Sequence, residues 1–251
     1  MDQRLEHLRI ASSAGIQAAH LALLDTLLAK DSSETSVSAE ARKVISLLEV
    51  QDQGMHTLAR GLLARLDKDY DAAAKLLRTE AARDSEYANL ALGMMHDDTL
   101  IPENRSTLSK LKALRLYEAA ANLGSIEALT RMGLLCERGL SDSGDYKLAV
   151  AYHRKAAEKG SHRSNYRLGV LLSEGSESSV TIPEAHARLS IAAAQGHETA
   201  KKKLEALENK LTKEQRLESS KLVQQIGLER FKRPTTSGIG RLVYTADTEG
   251  R

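Results

Sequence analysis

Aromatic residues make up 3% of the 251-residue chain, with no Trp and one Phe, Phe231. A β-sheet core draws on aromatic and β-branched side chains, so this scarcity argues against a sheet and for closely packed helices built on Leu and Ala. Only three prolines occur, Pro102, Pro183 and Pro234, which leaves long stretches open to helix. A single cysteine, Cys136, excludes an intramolecular disulfide framework. No charge of one sign dominates: 36 basic against 34 acidic residues give +2, so nothing global favours a nucleic-acid partner. Long apolar runs are missing too. The most apolar stretch, 18–29, is interrupted by His20 and Asp25 and is too short to cross a bilayer. The first residues, from Met1 to Glu6, lack the apolar centre of a signal peptide. The chain reads as soluble and cytoplasmic, or periplasmic had a leader been removed.

What the sequence does contain is a period. Gly133 and Gly169, Gly139 and Gly175, Ala149 and Ala185, Ala157 and Ala193, and Gly160 and Gly196 are each 36 residues apart. Five matched pairs at one spacing mark an internal repeat. Each unit reads as helix, turn, helix. Ala128, Met132 and Leu135 form the i, i+4, i+7 stripe of a first helix; Ala149, Ala156 and Ala157 form that of a second. Gly133, in mid-helix, costs about 1 kcal/mol against Ala. Its recurrence as Gly93 and Gly169 points to a neighbouring helix that leaves no room for a side chain. Gly124, Gly160 and Gly196 suit left-handed positions after the second helix. Ser125 and Ser161 then suit N-caps of the next first helix. Asp145 is placed to cap a second helix, and Pro183 falls in the first turn of its counterpart.

Upstream the period loosens. The unit opening at Ala88 closes at Gly124 with a loop, 97–109, about four residues longer. An earlier unit runs from Leu58 through Ala74 to Ala82. The first is the most diverged, with helices expected at roughly 14–29 and 37–50. Downstream, Ala200 and Leu204 continue the ladder, but Glu205 and Glu208 stand where glycine and leucine are due, as a terminal cap requires. Thr212 and Gln215 form a capping-box pattern before a last amphipathic helix containing Leu217, Leu222, Ile226 and Phe231. The expected organisation is a helical repeat domain over 1–233, with five helix pairs and C-terminal capping helices, followed by a flexible tail over 234–251.

At these residues the chain resembles the SEL-one-like repeat (SLR) family, relatives of the tetratricopeptide repeats. Its first-helix pattern Ala-x3-Leu-Gly-x2-Tyr-x2-Gly corresponds to Ala128, Met132, Gly133, Cys136 and Gly139. Its second-helix pattern corresponds to Ala149, Tyr152-His153, Ala156-Ala157 and Gly160. The unit 164–196 departs at Ser164, Leu172 and Arg188-Leu189, and the unit 88–124 lacks the glycine that closes the first helix. The resemblance implies an all-α fold, a right-handed α-solenoid of helix-turn-helix repeats of about 36 residues. It also implies a non-catalytic scaffold or adaptor, of a kind found in bacteria, that holds a partner protein on its concave face. Immunity protein or chaperone for a secreted effector is the alternative within that class.

First helices line the concave side in the architecture that the resemblance implies. Removing the packing stripe leaves Asn89, Glu127, Thr130, Arg131, Asn165 and Arg167 as candidate partner-binding residues. Their mixed charge suits a polar peptide or loop. Other chemistry finds little purchase. His96-Asp97-Asp98 is a compact group of metal-ligating types, but neighbours on a helix point apart. Cys136 occupies a packing position and reads as a small buried hydrophobe. Gly238-Ile239-Gly240-Arg241 has no strand before it and no helix after it, so it is no phosphate loop. Residues 198–233 hold ten Lys/Arg and six Asp/Glu, and a solvated cap face explains them better than nucleic acid does. Arg241 to Thr245 is a short β-prone run in the tail. No catalytic, cofactor or metal residues are assigned. Another protein or peptide is the expected partner, with no nucleic acid, membrane insertion or small-molecule substrate. An enzyme with a groove site, or a nucleic-acid binder, are the readings from other classes.

Overall fold

The structure, a computed structural model, describes residues 39, 42–46, 56–97, 107–139, 145–174 and 182–232. All the regular structure among them is helical. The first expected helix, most of the second, the centre of the long loop and the tail fall outside the described residues.

The described residues fall into two compact units. The first holds helical residues 42–46 and three helices: α1 (His56–Leu66), α2 (Tyr70–Ala81) and α3 (Glu86–Asp97). Leu58, Ala59 and Leu62 of α1 are buried, as are Ala73, Ala74 and Leu77 of α2. A Cβ added to Gly61 would lie 3.0 Å from two Leu77 atoms, so the small residue in α1 accommodates a leucine of α2. Asp69 caps α2 by accepting from the Ala72 amide. After α2 the chain turns at Asp84, whose φ is 58°. Asp84 lies 40 residues before Gly124, so it occupies the left-handed position that glycine fills in the later units. Aspartate is among the non-glycine residues that tolerate this region, which makes it an acceptable substitute.

The second unit holds seven helices: α4 (Thr107–Asn122), α5 (Ile126–Glu137), α6 (Tyr146–Glu158), α7 (His162–Glu174), α8 (Ile182–Ala194), α9 (Glu198–Glu208) and α10 (Lys213–Lys232). Pairs α5/α6 and α7/α8 form the two strict repeats. Alanines with no exposure line their facing sides: Ala128, Ala149 and Ala156 in the first pair, Ala185 and Ala192 in the second. Turns between units close as the sequence predicts. Gly124, Gly160 and Gly196 have φ of 116°, 101° and 87°. Ser125 and Ser161 then accept from the amides of Ala128 (3.3 Å) and Ser164 (3.1 Å). Asp145 caps α6 through the Leu148 amide at 3.1 Å.

The recurring mid-helix glycines face side chains of the second helix in the same unit. A Cβ on Gly133 would sit 2.6 Å from two atoms of the His153 ring, and one on Gly169 would sit 2.7 Å from Leu189 Cγ. Close approach is thus the reason for the glycine, and the occupant is a large side chain twenty residues on. Helix α9 has one buried and one exposed side. Ala200, Leu207 and Leu211 are buried in the core shared with Leu168, Leu172 and Leu189, with Leu204 packed against it. Glu205 and Glu208 are exposed. The Thr212 amide donates to Gln215 Oε1 at 3.0 Å, and the Gln215 amide donates to Thr212 Oγ1 at 3.2 Å, a complete capping box. Among the described residues, no helix is long and apolar enough to cross a membrane.

Candidate functional site: the first-helix face of α5, α7 and α9

Three of the candidate partner-binding residues carry charge at the surface. Arg131 Nε donates to Glu127 Oε1 at 2.9 Å, one helical turn back on α5. Glu127 also lies 3.8 Å from Arg163 of α7. Arg167 of α7 reaches back to Glu137 of α5, with Nε 3.0 Å from Oε1. One unit further, Lys203 of α9 repeats this contact with Glu174 of α7 at 2.7 Å. These pairs link three successive first helices into one charged face.

The other three candidates turn inward. Thr130 is fully buried and donates to the Ile126 carbonyl at 3.1 Å. Asn165 is buried, with its amide 3.4 Å from Gln195 Oε1, and it accepts from Arg188. Asn89 lies buried in the first compact unit and donates to the Ser85 carbonyl at 3.0 Å. Thr130 and Asn165 are taken up by hydrogen bonds to Ser161 and to Gln195 and Arg188, and Asn89 by its own helix, whereas Arg and Glu reach past them.

Behind the face, between α5/α6 and α7, lies a buried polar plug. Thr130 Oγ1 is 3.0 Å from both Ser161 Oγ and Ser164 Oγ. Ser164 Oγ is 3.2 Å from His153 Nδ1, and His153 Nε2 is 2.7 Å from Glu137 Oε1. Glu137 can only accept when ionised, so Nε2 carries the ring proton. Burial pushes the His153 pKa down to about 4, and the positive charge of Arg163 adds to this. Glu137 favours the charged ring, but its carboxylate is shared with Arg167. His153 is therefore neutral at physiological pH and acts as a structural link between the plug and the face.

The next junction is built differently. Thirty-six residues on, Tyr166 takes the place of Thr130, His197 of Ser161, Ala200 of Ser164, Leu189 of His153 and Ser173 of Glu137. The whole plug is exchanged as a set. Tyr166 and His197 stack with ring centroids 4.2 Å apart, and His162 lies 6.1 Å from His197. Where Ser125 and Ser161 cap their helices, His197 precedes α9 without a side-chain cap bond. Its ring is used for stacking instead. Tyr166, His162 and His197 are half-buried, so the ring group borders the charged face. Sequence reasoning passed over Arg163, Tyr166 and His197. The signal that identifies them is the departure from the repeat at paired positions.

The remaining chemistry-bearing residues behave as packing groups. Cys136 is buried, and burial, with the Asp145 charge second, pushes its thiol up to about 11; it is no nucleophile. His96 is buried. No group of three metal-ligating side chains converges among the described residues. Lys201 pairs with Glu198 at 2.8 Å, consistent with a solvated cap.

Comparison with known proteins accords with this geometry. The Sel1 repeat family profile matches residues 87–125, 126–161 and 162–197. No curated protein sequence matches. Among solved structures, a Sel1 repeat protein from Oxalobacter formigenes is 20% identical, with a TM-score of 0.54, covering 82% of this chain and 91% of that one. A second, c5321, described as a protective antigen of uropathogenic Escherichia coli strains with an SLR fold, is 17% identical with a TM-score of 0.47. That alignment covers 97% of this chain and 58% of the antigen. At 20% identity the likeness to the Oxalobacter formigenes protein concerns the fold. Each profile match spans one helix pair, and residues 87–197 are three Sel1 repeats.

Proposed function

We propose that the chain is a non-catalytic adaptor that holds a polar segment of a partner protein across the first-helix face of α5, α7 and α9. The observation that carries this reading is the continuity of the face. Glu127 pairs with Arg131 within α5, and Glu127–Arg163, Glu137–Arg167 and Glu174–Lys203 pair across helices over three units; the more exposed of them, Glu127–Arg163 and Glu174–Lys203, add little to stability. They are charged groups held in fixed places and able to exchange one partner for another at small cost. The Sel1 repeats supply the second support, since proteins built from them act generally as interaction scaffolds.

Site-directed photo-crosslinking in the producing cells tests the reading. A benzoylphenylalanine placed at Arg131 or Arg163 should give discrete protein adducts. The same group at the exposed second-helix residue Lys147 should give none. Adducts at Lys147 equal to those at Arg131 and Arg163, or no adducts at any position, would refute the assignment of this face.

A further inference from the structure

We infer that the segment held on this face is acidic and carries apolar side chains, and that it docks where Arg163 and Arg167 flank the stacked rings of Tyr166 and His197. The inference rests on the adaptor reading above and names its partner class.

Three features of the same patch support it. The first is charge. Arg163 and Arg167 are one turn apart on α7, with Tyr166 beside them. Arg167 is held by Glu137, while Arg163 has the longest of the face's described ion pairs, 3.8 Å to a carboxylate already bonded to Arg131. With 42% of its side chain exposed, the Arg163 guanidinium keeps donors for an incoming carboxylate. Burial lowers the His197 pKa, a backbone hydrogen bond opposes this, and the charge of nearby Arg163 lowers it further. Across the face, Arg131, Arg163, Arg167 and Lys203 outnumber Glu127, Glu137 and Glu174. The second is the ring pair. At the preceding junction the equivalent pair is the fully buried Thr130 and the half-buried Ser161, joined to each other within the plug. Here two rings replace two small hydroxyls and are left half-buried, which presents an apolar, stackable surface beside the cation. The third is spacing. Charges and rings lie along one turn of α7 and the start of α9, a footprint suited to a few residues of extended chain.

The three glutamates on the face decide against nucleic acid. A phosphate backbone carries a charge at every step and meets each of them, whereas a peptide can set its carboxylates against Arg163 and Arg167 and present other side chains to Glu127 and Glu137.

Fluorescence polarisation on the full chain tests the inference. The probes are a labelled dodecapeptide of repeating Glu-Glu-Phe, its Gln-Gln-Phe counterpart, and a labelled twelve-residue thymidine strand. The acidic peptide should bind at least ten-fold more tightly than the Gln peptide, and its affinity should fall ten-fold or more in Arg163→Glu and in Tyr166→Thr/His197→Ser. The double variant recreates the Thr130/Ser161 pair that the chain already uses one junction earlier, and circular dichroism reports that both variants keep their helices. Equal binding of the Gln peptide, undiminished binding by either variant, tighter binding of the thymidine strand, or no binding of the acidic peptide would each overturn the inference. Any of these together with photo-adducts at Arg131 and Arg163 leaves the adaptor reading standing; without those adducts, both fall.

Discussion

Replacing Gly133 by alanine sets two opposed effects against each other, and the structure decides which wins. In an exposed helix the change stabilises by about 1 kcal/mol. Here the new Cβ meets three atoms of the His153 ring at 2.6, 2.6 and 2.8 Å, so the ring must move. Overfilling a packed site costs about 1–3 kcal/mol. The displaced ring also gives up its 2.7 Å bond to Glu137 and its 3.2 Å bond to Ser164, and a buried polar group left without its partner costs about 1–3 kcal/mol. After subtracting the helix gain, Gly133→Ala should destabilise by about 1–5 kcal/mol. The same substitution in a His153→Ala background finds the space vacated and should stabilise by about 1 kcal/mol. Urea unfolding followed by circular dichroism on the four members of the cycle gives the coupling directly. A Gly133→Ala chain as stable as the parent, or a coupling close to zero, would show that the glycine is not there to make room for His153.

Acid should weaken the protein through the same histidine. Its native pKa lies near 4, below the ordinary value of 6.5, so as pH falls from 6.5 the unfolded chain takes up a proton that the folded chain refuses. Stability is lost between pH 6.5 and 4, by about 3 kcal/mol in total, and the loss is complete below pH 4. Unfolding curves from pH 7.5 to 4.5 should show this decline in the parent, with a shallower one in His153→Gln; parallel curves would refute it. Gly196→Ala isolates a conformational cost, because φ is 87° and no atom lies within 4 Å of the added Cβ. It should lower stability by about 1 kcal/mol, measured by the urea midpoint, and an unchanged midpoint would contradict the left-handed turn.

The repeat was legible because its residues answer to local physics. Gly124, Ser125, Asp145, Gly160, Thr212 and Gln215 each perform, in the structure, the turn or cap that their chemistry predicts. The reason for Gly133 was legible in kind, as close approach, but not in detail, since nothing in the sequence marks residue 153 as the occupant. Asp84 hid a turn because it substitutes for glycine in a region that few other residues tolerate. The face was only half legible. Periodicity assigns residues to a side of a helix, and on that side long charged side chains reach solvent while Thr130 and Asn165 are drawn into hydrogen bonds. Whether a short polar residue is used internally depends on partners distant in sequence, at Ser161, Arg188 and Gln195. The ring pair was missed because Tyr166 and His197, taken singly, look like ordinary drift from the pattern. Only their pairing across the junction shows that they changed together.

That paired exchange bears on how the array assembles. If every unit met its neighbour through the same contacts, a helix pair could dock one place out of order, or lend itself to a second chain, with little penalty, a failure to which repeat proteins are prone. Here the helix pair ending at Glu158 offers His153 and Thr130 to a hydroxyl-lined mate, and the pair ending at Ala194 offers Leu189 and Tyr166 to an alanine and an imidazole. Skipping the middle pair would press His153 against Ala200 and strand its nitrogen without Ser164. The two seams thus act as unlike keys, and each unit carries its own address in the line.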